Sequence, residues 1–170
     1  MKKNPDVPPV QARAEIATPL GPMIAWASAR GLAGLWFDSE PAAMQCDDVP
    51  VQPDHPHIAA ARAWLDAYWA GRDTAGIDVA LDLQGTLFQR WVWRELLRIP
   101  LGRTVTYGYV AEQVGGGAVP RATGHAIGRN PVGVIVPCHR VIGSNGSLTG
   151  YAGGIERKRA LLLHEGVLLA

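Results

Sequence analysis

Cys138 is followed immediately by His139 and Arg140, in the run VPCHRV. A histidine and a cation beside a cysteine stabilise the thiolate, which is the nucleophilic form. The run lies between an apolar stretch, residues 132–136, and a glycine-rich region, as expected for a buried segment that opens onto a loop. An arbitrary Cys-His pair is more often structural. The preceding proline, the following arginine and the downstream pattern favour a reactive Cys138.

The other cysteine, Cys46, precedes Asp47 and Asp48, whose negative charges oppose formation of a thiolate. We therefore expect Cys46 to take no part in the chemistry. A Cys46–Cys138 disulfide would be unusual in the reducing, intracellular setting that we expect. Because Cys138 is engaged as a nucleophile and no cysteine and histidine set has zinc-ligand spacing, the sequence predicts no metal site and no cofactor.

The length of 170 residues allows one domain or two small ones, and 48% hydrophobic residues are ordinary for a globular protein. The amino end, MKKNPDVPPV, has two lysines but no apolar core of a signal peptide behind them. No apolar run approaches the length that spans a membrane. We expect a cytoplasmic protein, associated with the nucleoid if it is bacterial, with no membrane partner.

Charge is distributed unevenly along the chain. Residues 1–83 carry 6 Lys and Arg against 11 Asp and Glu, a net charge of −5, whereas residues 84–170 carry 10 against 4, a net charge of +6. A basic half that holds the nucleophile favours a polyanionic partner, most simply nucleic acid, with the acidic half as scaffold. Chance asymmetry is the alternative explanation.

The amino half predicts a small antiparallel sheet with a helix. Short apolar runs between turn signals, from residue 13 to 37, are typical of a three-stranded meander, and an acidic, proline-rich connection follows over 38–56. A helix is expected from Pro56 to Gly71, because proline suits a first turn and glycine ends a helix. Alternating apolar and polar residues over 77–83 predict a half-buried strand.

The carboxyl half predicts helices. Thr86 and Gln89 have the spacing of a capping box, so a helix should run from about Leu87 to Leu97. Three arginines at i, i+4 and i+8 give this helix a basic stripe: Arg90, Arg94 and Arg98. A solvated face is the default explanation for such a stripe, and a phosphate-facing role stays open.

A helix-turn-helix is predicted next. Thr106 can cap a helix over 107–114, three glycines at 115–117 turn the chain, and Pro120 opens a second helix. The second helix consists of very small residues, which makes sense where something approaches its surface closely. A DNA groove and a tightly packed neighbouring helix are both candidates. Arg121 is the only long residue in its first turn.

The last predicted helix, IERKRALLLHE, is closed by Gly166 and places Glu165 near its end. A buried carboxylate there could orient a histidine from elsewhere, although a carboxylate near a helix end is more often solvated. Between Cys138 and this helix, IGSNGSLTGYAGG is rich in glycine and serine, which let the backbone approach a ligand.

The residues that carry this chemistry also carry a family likeness. The runs are GTLFQRWVWRELLRIPLGRTVTYGYVAEQVG, RATGHAIGRNP, VPCHRV, GSLTGYAGG and LLLHEG. Over roughly residues 84–167 they closely resemble the O6-alkylguanine-DNA alkyltransferases, also called methylated-DNA–protein-cysteine methyltransferases. The family includes alkyltransferase-like proteins with tryptophan in place of the nucleophile, and Cys138 excludes that branch.

The resemblance implies a DNA repair protein that reacts once. Cys138 would attack the alkyl carbon on O6 of guanine, or on O4 of thymine, in double-stranded DNA and would keep the alkyl group. His139 would act as the base through a water, with Glu165 holding its imidazole in the correct tautomer. No cofactor is implied. The protein would be a monomer, with cooperative binding along DNA left open.

The resemblance also assigns residues to DNA and base binding. Tyr107 would press on the phosphate beside the target and donate a hydrogen bond to the guanine, and Arg121 would replace the flipped nucleotide in the stack. Asn130 would tie the recognition helix, which would lie in the minor groove, to the active-site segment. The full expected set is Tyr107, Arg121, Ala122, Asn130, Arg140, Val141, Tyr151 and Ala152.

Two departures limit the transfer of family properties. Position 152 is alanine where some members have serine, so only its main-chain NH can serve O6. Some members carry zinc ligands in the amino half, and this sequence has no such set. Two other classes stay open: a lesion-binding protein without chemistry, which would need an inert residue at 138, and a cysteine hydrolase, for which no oxyanion-hole motif is evident.

We therefore expect an α+β protein of two domains. Residues 1–83 would form a scaffold with a small antiparallel sheet and a helix, similar to ribonuclease H. Residues 84–170 would form a mostly helical, winged-helix-like domain that binds DNA and accepts the alkyl group.

Overall fold

The computed structural model describes residues 8–45 and 48–167, and the chain divides into two compact units, residues 1–84 and 85–170. The expected boundary lay before residue 84. Cys46, which we expected to take no part in the chemistry, lies outside the described residues. Within the part of the chain that the structure describes, no helix is long and apolar enough to cross a membrane.

Unit 1, residues 1–84, contains the predicted antiparallel meander. Its strands are β1 (Val10–Ile16), β2 (Met23–Ser28) and β3 (Leu32–Phe37), paired in that order. Successive side chains of a strand point to opposite faces, so alternate residues of β1 are buried, namely Ala12, Ala14 and Ile16. The meander is confirmed, although β1 begins at Val10 rather than at residue 13.

The helix predicted after Pro56 is also confirmed. This helix, α1 (Pro56–Trp69), contacts all three strands. Its buried residues are Ile58, Ala61, Leu65, Ala67 and Tyr68. Trp64 is half-buried and stacks on Tyr68 with ring centroids 5.2 Å apart, so it packs on its own helix. Gly71 ends the helical region with a φ of 67°, a conformation that favours glycine.

The prediction of a strand over residues 77–83 is wrong. One isolated parallel bridge joins Leu81 to Leu32, and the described backbone on either side forms no ladder. The alternation remains visible in exposure, because Ile77 and Val79 are half-buried between exposed neighbours. An alternating pattern specifies two faces, but a strand also needs a partner along its length. This segment has that partner at one position.

Unit 2, residues 85–170, begins with α2 (Leu87–Leu96). The predicted capping box is present: Thr86 Oγ1 accepts from Gln89 N at 3.2 Å, and Gln89 Oε1 accepts from Thr86 N at 2.9 Å. These bonds satisfy two N–H groups that the first turn of a helix otherwise leaves unpaired. The exposed basic stripe, Arg90, Arg94 and Arg98, follows this helix.

The helix-turn-helix is confirmed as α3 (Tyr107–Val114) and α4 (Pro120–Gly128). Thr106 caps α3 by accepting from Tyr109 N at 3.1 Å. Glycines 115–117 all have positive φ, which explains why this turn needs glycine. The indole of Trp93 in α2 is buried and donates from Nε1 to Ala126 O at 2.8 Å, which ties α2 to α4.

Two short elements near Cys138 were not predicted. β4 (Val105–Thr106) pairs in parallel with β5 (Val141–Ile142), and this pairing brings the start of α3 beside the chain that follows the cysteine. A single 3-10 turn spans Cys138–Arg140. The last helix, α5 (Ile155–His164), forms as expected and is followed by Gly166 with a φ of 76°.

Candidate active site

Cys138 lies at the start of the 3-10 turn, and its side chain is partly exposed. The buried segment before it includes Val134, whose φ of 67° is strained for a β-branched residue. Asn130 is buried and donates from Nδ2 to Cys138 Sγ at 3.1 Å and to Val136 O at 2.8 Å; its Oδ1 accepts from Val132 N at 3.0 Å. Asn130 therefore holds this segment and offers a donor to the sulfur.

His139 and Glu165 meet in the interior. His139 is fully buried, and its Nε2 donates to Glu165 Oε1 at 2.6 Å. The guanidinium of Arg140 donates two hydrogen bonds to the same carboxylate, from Nε to Oε2 at 2.8 Å and from Nη2 to Oε1 at 2.9 Å. Its Nη1 donates to Ile99 O at 2.7 Å. The carboxylate thus accepts three hydrogen bonds, two of them from a bidentate guanidinium.

The position of Arg140 departs from its expected role in DNA and base binding. Its guanidinium points inward, the residue is 7% exposed, and its donors are directed to Glu165 and Ile99. A planar fork of donors fits a carboxylate, and a buried carboxylate needs a counter-charge. Arg140 is therefore placed to hold Glu165 rather than a ligand.

The charges of this cluster leave His139 neutral. Burial lowers the pKa of His139, and the hydrogen bond and charge of Glu165 offset this only in part. Burial by itself would raise the pKa of Glu165, but hydrogen bonds from His139 and Arg140 outweigh it and lower the pKa to about 2. Because Arg140 already neutralises the carboxylate, a proton on His139 would add an uncompensated buried charge. The imidazole then carries its proton on Nε2.

The second ring nitrogen of His139 is the acceptor. Nδ1 is buried and has no hydrogen-bond partner among the described residues. A neutral imidazole whose Nε2–H is held by a carboxylate presents a lone pair on Nδ1. This geometry suits a general base one residue from a thiol.

Lys158 is a site residue that the sequence analysis missed. It is fully buried, and its Nζ donates to Val141 O at 2.5 Å and to Thr149 O at 3.1 Å. Burial lowers its pKa to about 8, and the negative charge of Cys138 works in the opposite direction. The signal lay in its spacing: Lys158 shares one face of α5 with the buried Leu161 and Leu162, and Glu165, the residue after the helix, follows at the same spacing.

Tyr107 is the first residue of α3 and lies close to Lys158. Its Oη donates to Thr149 O at 2.7 Å. Burial raises the pKa of Tyr107; the hydrogen bond to Thr149 acts against this effect, and the charge of Cys138 adds to it. Tyr107, Lys158 and Cys138 therefore belong to one electrostatic environment.

The remaining predicted site residues differ in exposure. Arg121 and Ala122 are exposed in the first turn of α4, Val141 is buried, Tyr151 is half-buried and Ala152 is exposed. Gly124 of α4 faces Tyr107: a Cβ there would lie 3.4 Å from Tyr107 Cδ1. A Cβ at position 124 would thus make close but ordinary contact with the ring, and the surface at Ala122 is open. No metal-holding group of His, Cys, Asp and Glu occurs among the described residues.

Comparisons with known proteins give one consistent family. The family model for "6-O-methylguanine DNA methyltransferase, DNA binding domain" matches residues 87–167. A methylated-DNA–protein-cysteine methyltransferase of Mycobacterium tuberculosis (strain ATCC 25618 / H37Rv) is 56% identical over 110 residues, which cover 65% of this chain and 66% of the relative. The alignment thus spans slightly less than two thirds of that relative. The Shigella flexneri protein of the same name is 42% identical and covers 91% of this chain and 95% of the relative.

Solved structures agree with the sequence relatives. Mycobacterium tuberculosis OGT in complex with DNA has a TM-score of 0.79 and 43% sequence identity, and the match covers 91% of this chain and 92% of that chain. The crystal structure of the Mycobacterium tuberculosis O6-methylguanine methyltransferase has a TM-score of 0.78 at the same identity and coverage. The expected α+β class is confirmed by these matches.

Proposed function

This chain belongs to the methylated-DNA–protein-cysteine methyltransferase family, and from that premise we propose that it repairs double-stranded DNA by transferring alkyl groups from O6 of guanine to Cys138. Alkyl groups on O4 of thymine would be a second substrate. The protein would act as a monomer without a cofactor.

One observation carries the proposal: a partly exposed cysteine is followed by a buried histidine whose Nε2 is held by a carboxylate. Because Nε2 carries the proton, Nδ1 of His139 is the base, and it would take the proton of Cys138 through a water. Glu165 would fix the tautomer and stabilise the imidazolium that forms. This is the logic of a catalytic triad applied to a thiol.

The transfer is a single displacement. The thiolate sulfur attacks the alkyl carbon, the S–C bond forms as the bond from carbon to O6 breaks, and the bonding electrons pass to the guanine. The guanine takes up a proton and remains in the DNA as the ordinary base. The product on Cys138 is a thioether, which water does not cleave, so each molecule reacts once.

Three further residues support the thiolate in this proposal. The amide of Asn130 donates to Sγ and stabilises negative charge on it. The buried ammonium of Lys158 attracts the same charge, as its electrostatic coupling to Cys138 indicates. Arg140 acts as a positioning residue, since it keeps Glu165 ionised and oriented toward His139.

DNA would bind along α4. The open surface at Ala122 permits close approach to the minor groove, and Arg121 would take the place of the flipped nucleotide. Tyr107 would contact the adjacent phosphate and the guanine, which requires its hydroxyl to exchange the carbonyl of Thr149 for the ligand. Main-chain groups of Cys138, Val141 and Ala152, next to Tyr151, would line the guanine pocket.

Intact mass spectrometry tests the proposal. The protein is mixed with a duplex containing O6-methylguanine and should gain the mass of one methyl group, located on the peptide that contains Cys138. Cys138→Ser should bind the duplex and gain no mass. Binding by the wild type without any gain would support lesion recognition without chemistry, and repeated turnover by one molecule would support a hydrolase.

A further inference from the structure

The face of α2 opposite its buried side is apolar and basic at once. Leu87 is 54% exposed and Trp91 is 49% exposed, and the two side chains lie about one helical turn apart. Trp91 borders a groove of about 330 Å³ between α2 and the glycine turn at 115–117. The same indole borders a second groove of about 280 Å³ that reaches Arg94. We call this surface, Leu87, Arg90, Trp91 and Arg94, the α2 face.

Two cations on the α2 face have no carboxylate partner among the described residues. Within that part of the chain, the ion pair on this helix is Arg98 with Glu95, at 3.3 Å. Arg90 and Arg94 are exposed and take part in no ion pair or side-chain hydrogen bond with the described residues. A positive, partly apolar surface therefore exists outside the site that contains Cys138. Its charge complements a polyanion.

The α2 face is continuous with the first turn of α4. Ala122, which is exposed beside Arg121, borders the 330 Å³ groove together with Phe88 and Trp91. Because both surfaces border this groove, a duplex that places its minor groove on α4 would lie beside the α2 face. Residues four apart on a helix lie about 6 Å apart along its axis, so Arg90 and Arg94 can meet one strand of a backbone together.

We propose that the α2 face binds the sugar-phosphate backbone of the same duplex, beside the strand segment held by α4. Arg90 and Arg94 neutralise phosphates, and Trp91 packs on deoxyribose in the groove. This inference rests on the proposed function, because it places DNA on α4. The acidic half of a second copy is the other occupant with suitable charge, and the experiment distinguishes the two.

The test compares two double variants of equal charge. Arg90→Gln with Arg94→Gln removes two positive charges from the α2 face. Arg103→Gln with Arg159→Gln removes two from exposed positions of unit 2 that border neither groove. Affinity for an undamaged duplex is measured against salt concentration, together with the rate of methylation by free O6-methylguanine base.

In the α2-face variant, the slope of log K against log salt should be shallower than in the wild type by about 1.8. This change corresponds to about 0.9 for each of the two phosphates that the variant no longer neutralises. The control variant should keep the wild-type slope, and Trp91→Ala should weaken binding with the slope unchanged. All variants should react with the free base at the wild-type rate, which also shows that they are folded.

Equal slopes for the two double variants would overturn the inference. The α2-face variant could instead keep the wild-type slope and lose the ability, measured by sedimentation, to bind a long duplex as clusters of adjacent molecules. That result would overturn the inference and identify a second copy of the protein as the occupant of the α2 face. A wild type that binds the duplex and does not react with either substrate would instead overturn the proposed function, and the slopes would still decide the role of the α2 face.

Discussion

Lys158 Nζ lies 5.9 Å from the centre of the Tyr107 ring, and both side chains donate hydrogen bonds to the carbonyl oxygen of Thr149. This shared acceptor joins α5 to the start of α3 at the side of Cys138. A buried ammonium is stable here because two carbonyls, a ring face and the sulfur compensate for lost hydration. Lys158 is therefore an electrostatic partner of Cys138 as well as a packing residue.

Lys158→Met should slow alkyl transfer and move the pH midpoint of Cys138 alkylation by iodoacetamide to higher pH. Methionine fills a similar volume but removes the positive charge that stabilises the thiolate. The matched control is Arg159→Met, which removes the same charge from an exposed position one residue along α5. Equal midpoints for the two variants would show that Lys158 acts on packing alone.

Glu165→Gln should lower the rate of alkyl transfer and also reduce stability, while affinity for undamaged duplex changes little. The amide cannot stabilise the imidazolium, and Arg140 loses its counter-charge in the interior, which costs about 3–5 kcal/mol when one partner of a buried pair is removed. Stopped-flow transfer assays and urea unfolding measure the two effects. An unchanged rate in the folded variant would restrict Glu165 to a structural role.

Stability should fall as pH drops, in two stages. The pKa of His139 is lowered below its ordinary 6.5, so the unfolded chain binds a proton first and stability declines once pH falls below about 6.5. The pKa of Glu165 is lowered from 4.5 to about 2, so its contribution is complete above pH 4.5 and is lost between 4.5 and about 2. Urea unfolding at a series of pH values measures both stages. His139→Gln should remove the first stage, and its persistence would assign that stage to other groups.

Arg121→Ala should slow repair of duplex DNA by roughly 10- to 100-fold and leave reaction with free O6-methylguanine base unchanged. A base must leave the stack before Cys138 can reach it, and an inserted side chain offsets part of an unstacking cost of a few kcal/mol. The free base carries no such cost. Arg121→Lys should restore activity in part, because the planar guanidinium is lost.

The control for Arg121 is Arg129→Ala, an exposed arginine just beyond the last turn of α4. This variant should repair duplex DNA at close to the wild-type rate. Equal slowing of Arg121→Ala on both substrates would mean that Arg121 supports the fold or the pocket rather than nucleotide flipping.

Local patterns predicted most of the helices and their ends. The caps at Thr86 and Thr106 and the glycine turn at 115–117 formed as expected, because a cap depends on residues two or three positions away. The alternation of apolar and polar residues over 77–83 led to a wrong prediction of a strand, because it shows which side chains share a face and not whether another backbone pairs with the segment. A strand exists only where another backbone lies alongside it.

The sequence by itself indicated the proposed nucleophile, the adjacent histidine and the helix that ends at Glu165, since these follow from residue type and short-range spacing. Only the tertiary structure decided which groups meet. Arg140 turned inward to Glu165, 25 residues along the chain, and Lys158 came to the carbonyl of Val141, 17 residues back. Contacts at that separation depend on how helices and loops pack around a buried charge, because each charge in the interior must have a partner. The spacing of residues along the chain does not specify which residue that partner is.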